Sequence, residues 1–326
     1  MVLLCKKTTG NNDIREITVL QCRGMDSMAV IPDKIEDGLV TEFSPYLFSQ
    51  HGSYEEECQD CFWWSDTDGR INERQALSLS VLKGGCLDEI HLPSSLKKVG
   101  AYGFYNCEKL RKLEVYSHTL DWGTGVFTGC SGIKELIVHV DENQKSCLKE
   151  ILNELRQTLS VTYLGEEEAR LIFSEFFEEA VENTPARILV TNTHGCGKQY
   201  RNAFVSTQFQ FGEYDSLFPH VQIQETEELA ASVALGRLLY PCQLSMKHQK
   251  MYEDYLNEHA VTAACLAVKC QDMDGLQWLM NHLAFDSAQM EKVIQAAGSS
   301  GRAGMVSYLM DEKKKKGNVK RRRFTL

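Results

Sequence analysis

Chemistry in this chain would have to come from a few short clusters of residues. The stretch THGCGKQ at 193–199 has the composition of a phosphate-cradling loop, in which backbone N–H groups wrap the anion and a lysine reaches it. Such a loop is spaced G-x-x-x-x-G-K-[ST]. Here Asn192 holds the first position and Gln199 the last, so the hydroxyl that would hold magnesium is missing and the stretch reads as a Gly-rich turn. Cys58-x-x-Cys61 has the separation of two zinc thiolates, with His51 and Cys86 as further donors, but a closed zinc site uses a second close pair and none follows. Asp66-x-Asp68-Gly69 starts like a calcium loop. Setting Gly69 at the loop glycine puts Trp64 and Gln75 at the first and twelfth ligand positions, where carboxylates belong. His194 and Cys196 form a loose nucleophile–base pair with no recognisable orienting group. No G-x-S-x-G, H-E-x-x-H or post-strand dinucleotide fingerprint occurs. The expectation is a protein with no catalytic residue, cofactor, metal or small-molecule substrate.

The last cluster is the basic run of Lys313, Lys314, Lys315, Lys316, Lys320, Arg321, Arg322 and Arg323. Near nucleic acid or an anionic membrane, each such residue contributes about 1 kcal/mol. Apart from Phe324 the run has no aromatic residue to stack on bases, and it also suits the negative end of a final helix. These eight charges mask an acidic body: the chain's net charge is −10, and the first 312 residues alone balance at −18. That is not the composition of a nucleic-acid groove.

Positioning any of these residues requires a scaffold, and 326 residues suffice for two modest domains. A hydrophobic content of 43% and a charged content of 25% are ordinary for a globular chain. The opening MVLLCKKTTGNND is too short in apolar residues for a signal peptide, and no run suits a membrane span, so a soluble, cytoplasmic protein with reduced cysteines is expected.

The scaffold shows itself as a repeat of 23 residues. Leu87, Leu110 and Ile133 align, as do Ile90, Leu113 and Leu136, then Leu92, Val115 and Val138. Gly100 answers Gly123, Phe104 answers Phe127, and Cys107 answers Cys130. Self-similarity of this kind means stacked coils sharing one core. The period-2 alternation of Ile90-His91-Leu92, Leu113-Glu114-Val115 and Leu136-Ile137-Val138 gives each coil a short strand, and successive strands form a parallel ladder. The glycines belong where the chain turns and a side chain would clash. Glu89, His91, Lys112, Glu114, Glu135 and Ile137 then face outward as a candidate partner-binding face.

The pattern L-x-x-I-x-L-P-x-S-L-x-x-V-G-x-x-x-F-x-x-C-x-x-L at 87–110 resembles the BspA-like leucine-rich repeat, over roughly residues 16–140. VIPDKIEDGLVTEFSPYLFS at 30–49 is similar to that family's entry coil, with Phe43 and Phe48 matching Val99 and Phe104. The resemblance implies a leucine-rich solenoid; many members are surface-exposed adhesion or recognition proteins. Between entry coil and repeats lies an insertion at about 50–82, where Asp68-Gly69 signals a hairpin. Beyond His139 the spacing predicts helices at 146–159 and 166–183. Ala267, Leu276, Leu279 and Met280 are answered about 30 residues on by Ala297, Val306, Leu309 and Met310, which resembles an ankyrin-like array without the T-P-L-H start.

The expected fold is therefore an α+β repeat protein. A residue 1–15 extension precedes a 16–140 leucine-rich solenoid, an α-helical domain at 141–312 with ankyrin-like hairpins from about 254, and a 313–326 basic tail. The expected function is non-catalytic protein–protein recognition or scaffolding through the solenoid surface, with an unidentified protein as partner. The alternative is a peripheral binder of nucleic acid or anionic membrane through the tail.

Overall fold

The structure is a computed structural model that describes residues 1–9, 15–51, 60–141, 146–183 and 188–322, with backbone alone at 181–183, 188–190 and 316–322. The chain forms two compact units: Met1–Glu168 with Phe173–Gln210, and Ala169–Ile172 with Phe211–Leu326.

The first unit is a β-solenoid. β1 (Val2–Thr9) and β2 (Arg15–Arg23) pair antiparallel, and β3 (Met28–Val30) follows. β4 (Lys34–Ile35) and β5 (Gly38–Phe43) form a tight hairpin, as do β6 (Cys61–Ser65) and β7 (Gly69–Ile71). Gly69 turns the second hairpin at φ +70°, a conformation that costs a glycine little. The helix α1 (Glu73–Leu77) is started by a capping box, in which the Asn72 side chain accepts from the Gln75 N–H and the Gln75 side chain from the Asn72 N–H. β8 (Glu89–His91), β9 (Lys98–Val99), β10 (Lys112–Tyr116), β11 (Asp121–Trp122) and β12 (Glu135–His139) then alternate between two ladders, and α2 (Leu148–Glu154) leads into β13 (Leu159–Leu164). The front ladder runs β3-β8-β10-β12-β13, every pair parallel. The back ladder runs β5-β9-β11 and continues from β5 into β2, β1, β6 and β7.

Each recurring residue type has a cause in the packing. The rings of Phe48, Phe104 and Phe127 stack in order, with centroids 5.4 and 5.6 Å apart and planes within 5° of parallel. All three are buried, and each such side chain contributes about 1.5–3 kcal/mol once its neighbours cover it. The cysteines tie one coil to the one before: the Cys107 thiol donates to the Phe48 carbonyl at 3.2 Å and the Cys130 thiol to the Phe104 carbonyl at 2.9 Å. The glycines mark the closest approach of coil to coil. A Cβ at Gly100 would lie 2.3 Å from the Pro45 nitrogen, and one at Gly123 2.4 Å from the Ala101 nitrogen. Phe43 opposes Val99 across β5 and β9, in the register expected for the entry coil.

Several expectations need revision. The extension expected at residues 1–15 is no appendage where it is described, because β1 is an inner strand between β2 and β6. The insertion is likewise built into the back sheet through β6, and its second strand ends at Ile71 before α1. The front ladder continues past 140 to β13, so the helix expected at 146–159 shortens to α2. The helix expected at 166–183 is instead β14 (Glu168–Phe173) and β15 (Phe177–Asn183); in β14, Ala169, Leu171 and Phe173 are buried in alternation. β15 pairs antiparallel with β16 (Ile188–His194), and α3 (Gly197–Arg201), β17 (Phe204–Val205) and β18 (Gln208–Phe209) close the unit.

The second unit is helical: α4 (Phe211–Ser216), α5 (Phe218–Gln224), α6 (Glu227–Leu239), α7 (Met246–Glu258), α8 (Ala260–Cys270), α9 (Met273–His282), α10 (Ser287–Ser299) and α11 (Ala303–Arg322). α6 is its core helix, burying Ala230, Ala231, Val233, Ala234, Leu235 and Leu238. Starts are sealed by side-chain caps: Thr226 on α6, Ser245 on α7, Asp272 on α9 and Asp286 on α10. The pairs α8–α9 and α10–α11 are successive helical hairpins. Ala267, Leu276 and Leu279 are buried in the first, Ala297 and Leu309 in the second, whereas Met310 on the outermost helix is half exposed.

Candidate functional site

The front ladder places all six candidate face residues side by side. Lys112 lies between Glu89 and Glu135 in one cross-strand column, and Glu114 between His91 and Ile137 in the next. Alternation along each strand sends Ile90, Leu113, Val115, Leu136 and Val138 into the core and these six outward.

On the face they form a chain of charge. Lys112 Nζ lies 2.7 Å from Glu89 Oε1, which also meets His91 Nε2 at 2.6 Å. His91 Nδ1 lies 2.5 Å from Glu114 Oε2, and the other oxygen of Glu114 lies 2.6 Å from His139 Nε2. A carboxylate only accepts, so both His91 contacts are hydrogen bonds when each ring nitrogen bears a proton. Lys112 holds the Glu89 carboxyl below the usual carboxylate range, with His91 adding to the effect, while Glu89 raises the Lys112 ammonium. Tyr116 stacks on His139 with centroids 4.4 Å apart, and burial, together with the charges of Glu114 and Asp33, pushes its hydroxyl up. His139 and Tyr116 lie outside the expected set, although each sits two residues beyond a named position, so the same alternation reaches them.

The other clusters are taken up by structure. Gly195 adopts φ +83°, and a Cβ on Gly197 would come within 2.0 Å of the Ser174 carbonyl. These glycines serve close packing. Lys198 is engaged by Glu178 at 2.5 Å. Downstream of the loop, Arg201 is 1% exposed and donates to the carbonyls of Leu152, Leu155, Gln157, Ser174 and Gly197. Burial lowers its pKa to about 10. His194 is exposed, stacked on Phe177 and paired with Glu179, while Cys196 is buried beside Ser174, so the two are not presented together as a nucleophile and its base. Cys61 is disulfide-bonded, which removes its thiolate from metal ligation and departs from the expectation of reduced cysteines; Cys58 lies outside the described residues. Among the described residues no group of three or more His, Cys, Asp or Glu is arranged to hold a metal ion, and no helix is long and apolar enough to cross a membrane.

The basic tail lies largely on α11. Lys313 pairs with Glu291, Lys314 with Asp311 at 3.7 Å and Lys315 with Glu312 at 2.6 Å. Lys316, Lys320, Arg321 and Arg322 follow on the same helix, and Arg323 lies outside the described residues.

Residues 81–167 match the family model described as the BspA type leucine rich repeat region, in 6 copies. Among solved structures, the chain is similar to a T. pallidum leucine rich repeat protein at 16% sequence identity and a TM-score of 0.28, over 49% of this chain and 61% of that one. No curated protein matches the sequence.

Proposed function

We propose that this chain, which carries a BspA-type leucine-rich repeat region through residues 81–167, is a non-catalytic protein-recognition or scaffolding module acting through its front ladder. The observation that supports this reading is the outward face itself. Glu89, His91, Lys112, Glu114, Glu135 and Ile137 are held in register across three coils by a sheet whose inward residues are buried. Repeat solenoids present such extended surfaces to partners, and a face of fixed side chains loses little conformational entropy on binding.

The test compares affinity capture from host lysate by the wild-type chain and by Lys112→Glu/Glu114→Lys/Ile137→Glu, all outward positions. A protein retained by the wild type and lost by a variant with an unchanged melting curve supports the reading. A partner that survives all three changes, or turnover of a metabolite by the pure protein, sinks it. A chain ending at Glu312 separates the face from the tail, because capture that depends on residues beyond 312 and falls steeply with salt belongs to the tail.

A further inference from the structure

His91 stands on the front face with a carboxylate at each of its ring nitrogens. Nε2 lies 2.6 Å from Glu89 Oε1, and Nδ1 lies 2.5 Å from Glu114 Oε2. Neither carboxylate can donate, so the ring satisfies both only while both nitrogens carry protons. The titratable groups around it come from three strands. Its own strand supplies Glu89, β10 supplies Lys112, Glu114 and Tyr116, and β12 supplies His139, whose Nε2 lies 2.6 Å from Glu114 Oε1. On the other side β3 sets Val30 opposite His91 and Met28 opposite Glu89, and neither titrates. Further out, Glu135 acts on Lys112 and Asp33 on Tyr116 through charge, while His118 is taken up by Asp141 and the Ser94 carbonyl.

Histidine is the side chain whose charge changes between about pH 5 and 8. On losing a proton, the His91 ring keeps one N–H and turns a bare lone pair on the other carboxylate. The surroundings decide which one. Glu89 is also bound by Lys112 at 2.7 Å, a cation throughout this range, so it stays paired without the ring. Among the described residues Glu114 is ion-paired with no lysine or arginine. Its other oxygen meets His139, which donates from Nε2 even when neutral.

We infer that the front face carries a proton-operated contact: in acid the His91 ring closes on both carboxylates, and above the imidazole range it keeps Nδ1–H on Glu114 and releases Glu89. The chain of charge then parts into two pieces, Lys112–Glu89 and His91–Glu114–His139. The loss of the His91 proton makes the face one unit more negative, and the Glu89–Lys112 pair is freed to turn toward a partner. The inference rests on the reading of this face as the recognition surface, and it makes pH the regulator of what that surface offers.

The test is a histidine-ring ¹⁵N NMR titration of the full chain from about pH 5 to about pH 8.5, with His91 assigned through ring-to-Cβ correlations. The expected result is that Nε2 alone moves to the position of a bare, pyridine-type nitrogen, whereas Nδ1 stays protonated. This is the opposite of the tautomer a free imidazole prefers. Lys112→Gln removes the cation that lets Glu89 do without the ring, and should shift the neutral ring toward Nε2–H. A wild-type ring that keeps Nε2–H, two nitrogens that move together as in free imidazole, or a tautomer indifferent to Lys112→Gln would overturn the proposal. No partner enters this measurement, so its failure and the failure of the capture experiment are read separately.

Discussion

A cysteine recurs in these coils for what its thiol can reach. The Cys107 and Cys130 thiols each bind a phenylalanine carbonyl in the preceding coil, and a neighbouring ring stack fixes the distance. Glycine obeys a stricter rule, which can be tested. Gly123→Ala drives a Cβ into the backbone of Ala101 and is expected to cost about 1–3 kcal/mol in urea unfolding. Gly298→Ala, with nothing within 4 Å and in the last turn of α10, is expected to be neutral or to stabilise by less than about 1 kcal/mol. Equal effects at the two sites would contradict the packing account. Glu36 offers a test by pH. Its carboxyl hydrogen-bonds Arg70 and, second, Lys7, and its pKa falls to about 2. A folded pKa below the unfolded value of about 4.3 gives stability that is fully present above that value and is lost as pH falls through about 2. The difference in melting temperature between wild type and Glu36→Gln should therefore shrink from pH 5 to pH 2, and a constant difference would refute it.

Among whole elements, legibility depended on whether residue type and neighbours agreed. The front ladder could be read because Ile90, Leu113 and Leu136 recur at the period their burial demands. β14 and β15 could not: Glu168, Ala169, Arg170 and Leu171 favour a helix on their own, and a strand reading needs the burial of alternate residues, which local propensity does not carry. The face could be located from alternation, but its pairing could not, since His139 reaches Glu114 from 25 residues away. Isolated arginines left no sequence signal at all. Arg237 and Asp215 are both fully buried, joined at 2.8 and 3.1 Å, and Tyr252 donates to the same carboxylate at 2.9 Å. Arg237→Met is expected to cost about 3–5 kcal/mol by stranding that carboxylate. Arg237→Met/Asp215→Leu should recover a large part of the loss, as chemical denaturation of the three chains would show.

For the molecule as a whole, the chain joins a β-solenoid unit to a helical one. The acidic balance of the first 312 residues and the basic run after them suggest two opposite attractions, yet Lys313, Lys314 and Lys315 already have carboxylate partners on the helices. Exposed, salt-screened pairs of this kind add little to stability, so the melting temperature of a chain ending at Glu312 is expected to stay close to that of the full chain. A larger loss would show that the end of α11 is needed for the helical unit to stand.

The parallel register of the front ladder also works as a ruler. Its columns repeat at about 4.8 Å, the spacing of neighbouring strands. Same-side residues of an extended chain laid across them recur at about 6.8 Å and fall out of step within two coils. An α-helix laid the same way repeats every 5.4 Å or so and loses only about 0.6 Å per coil. A partner that reads Glu89, Lys112 and Glu135 together is thus expected to do so with successive turns of a helix. A gain of helical circular dichroism on binding would mark that match of pitch, and an extended partner spanning the same three positions would break it.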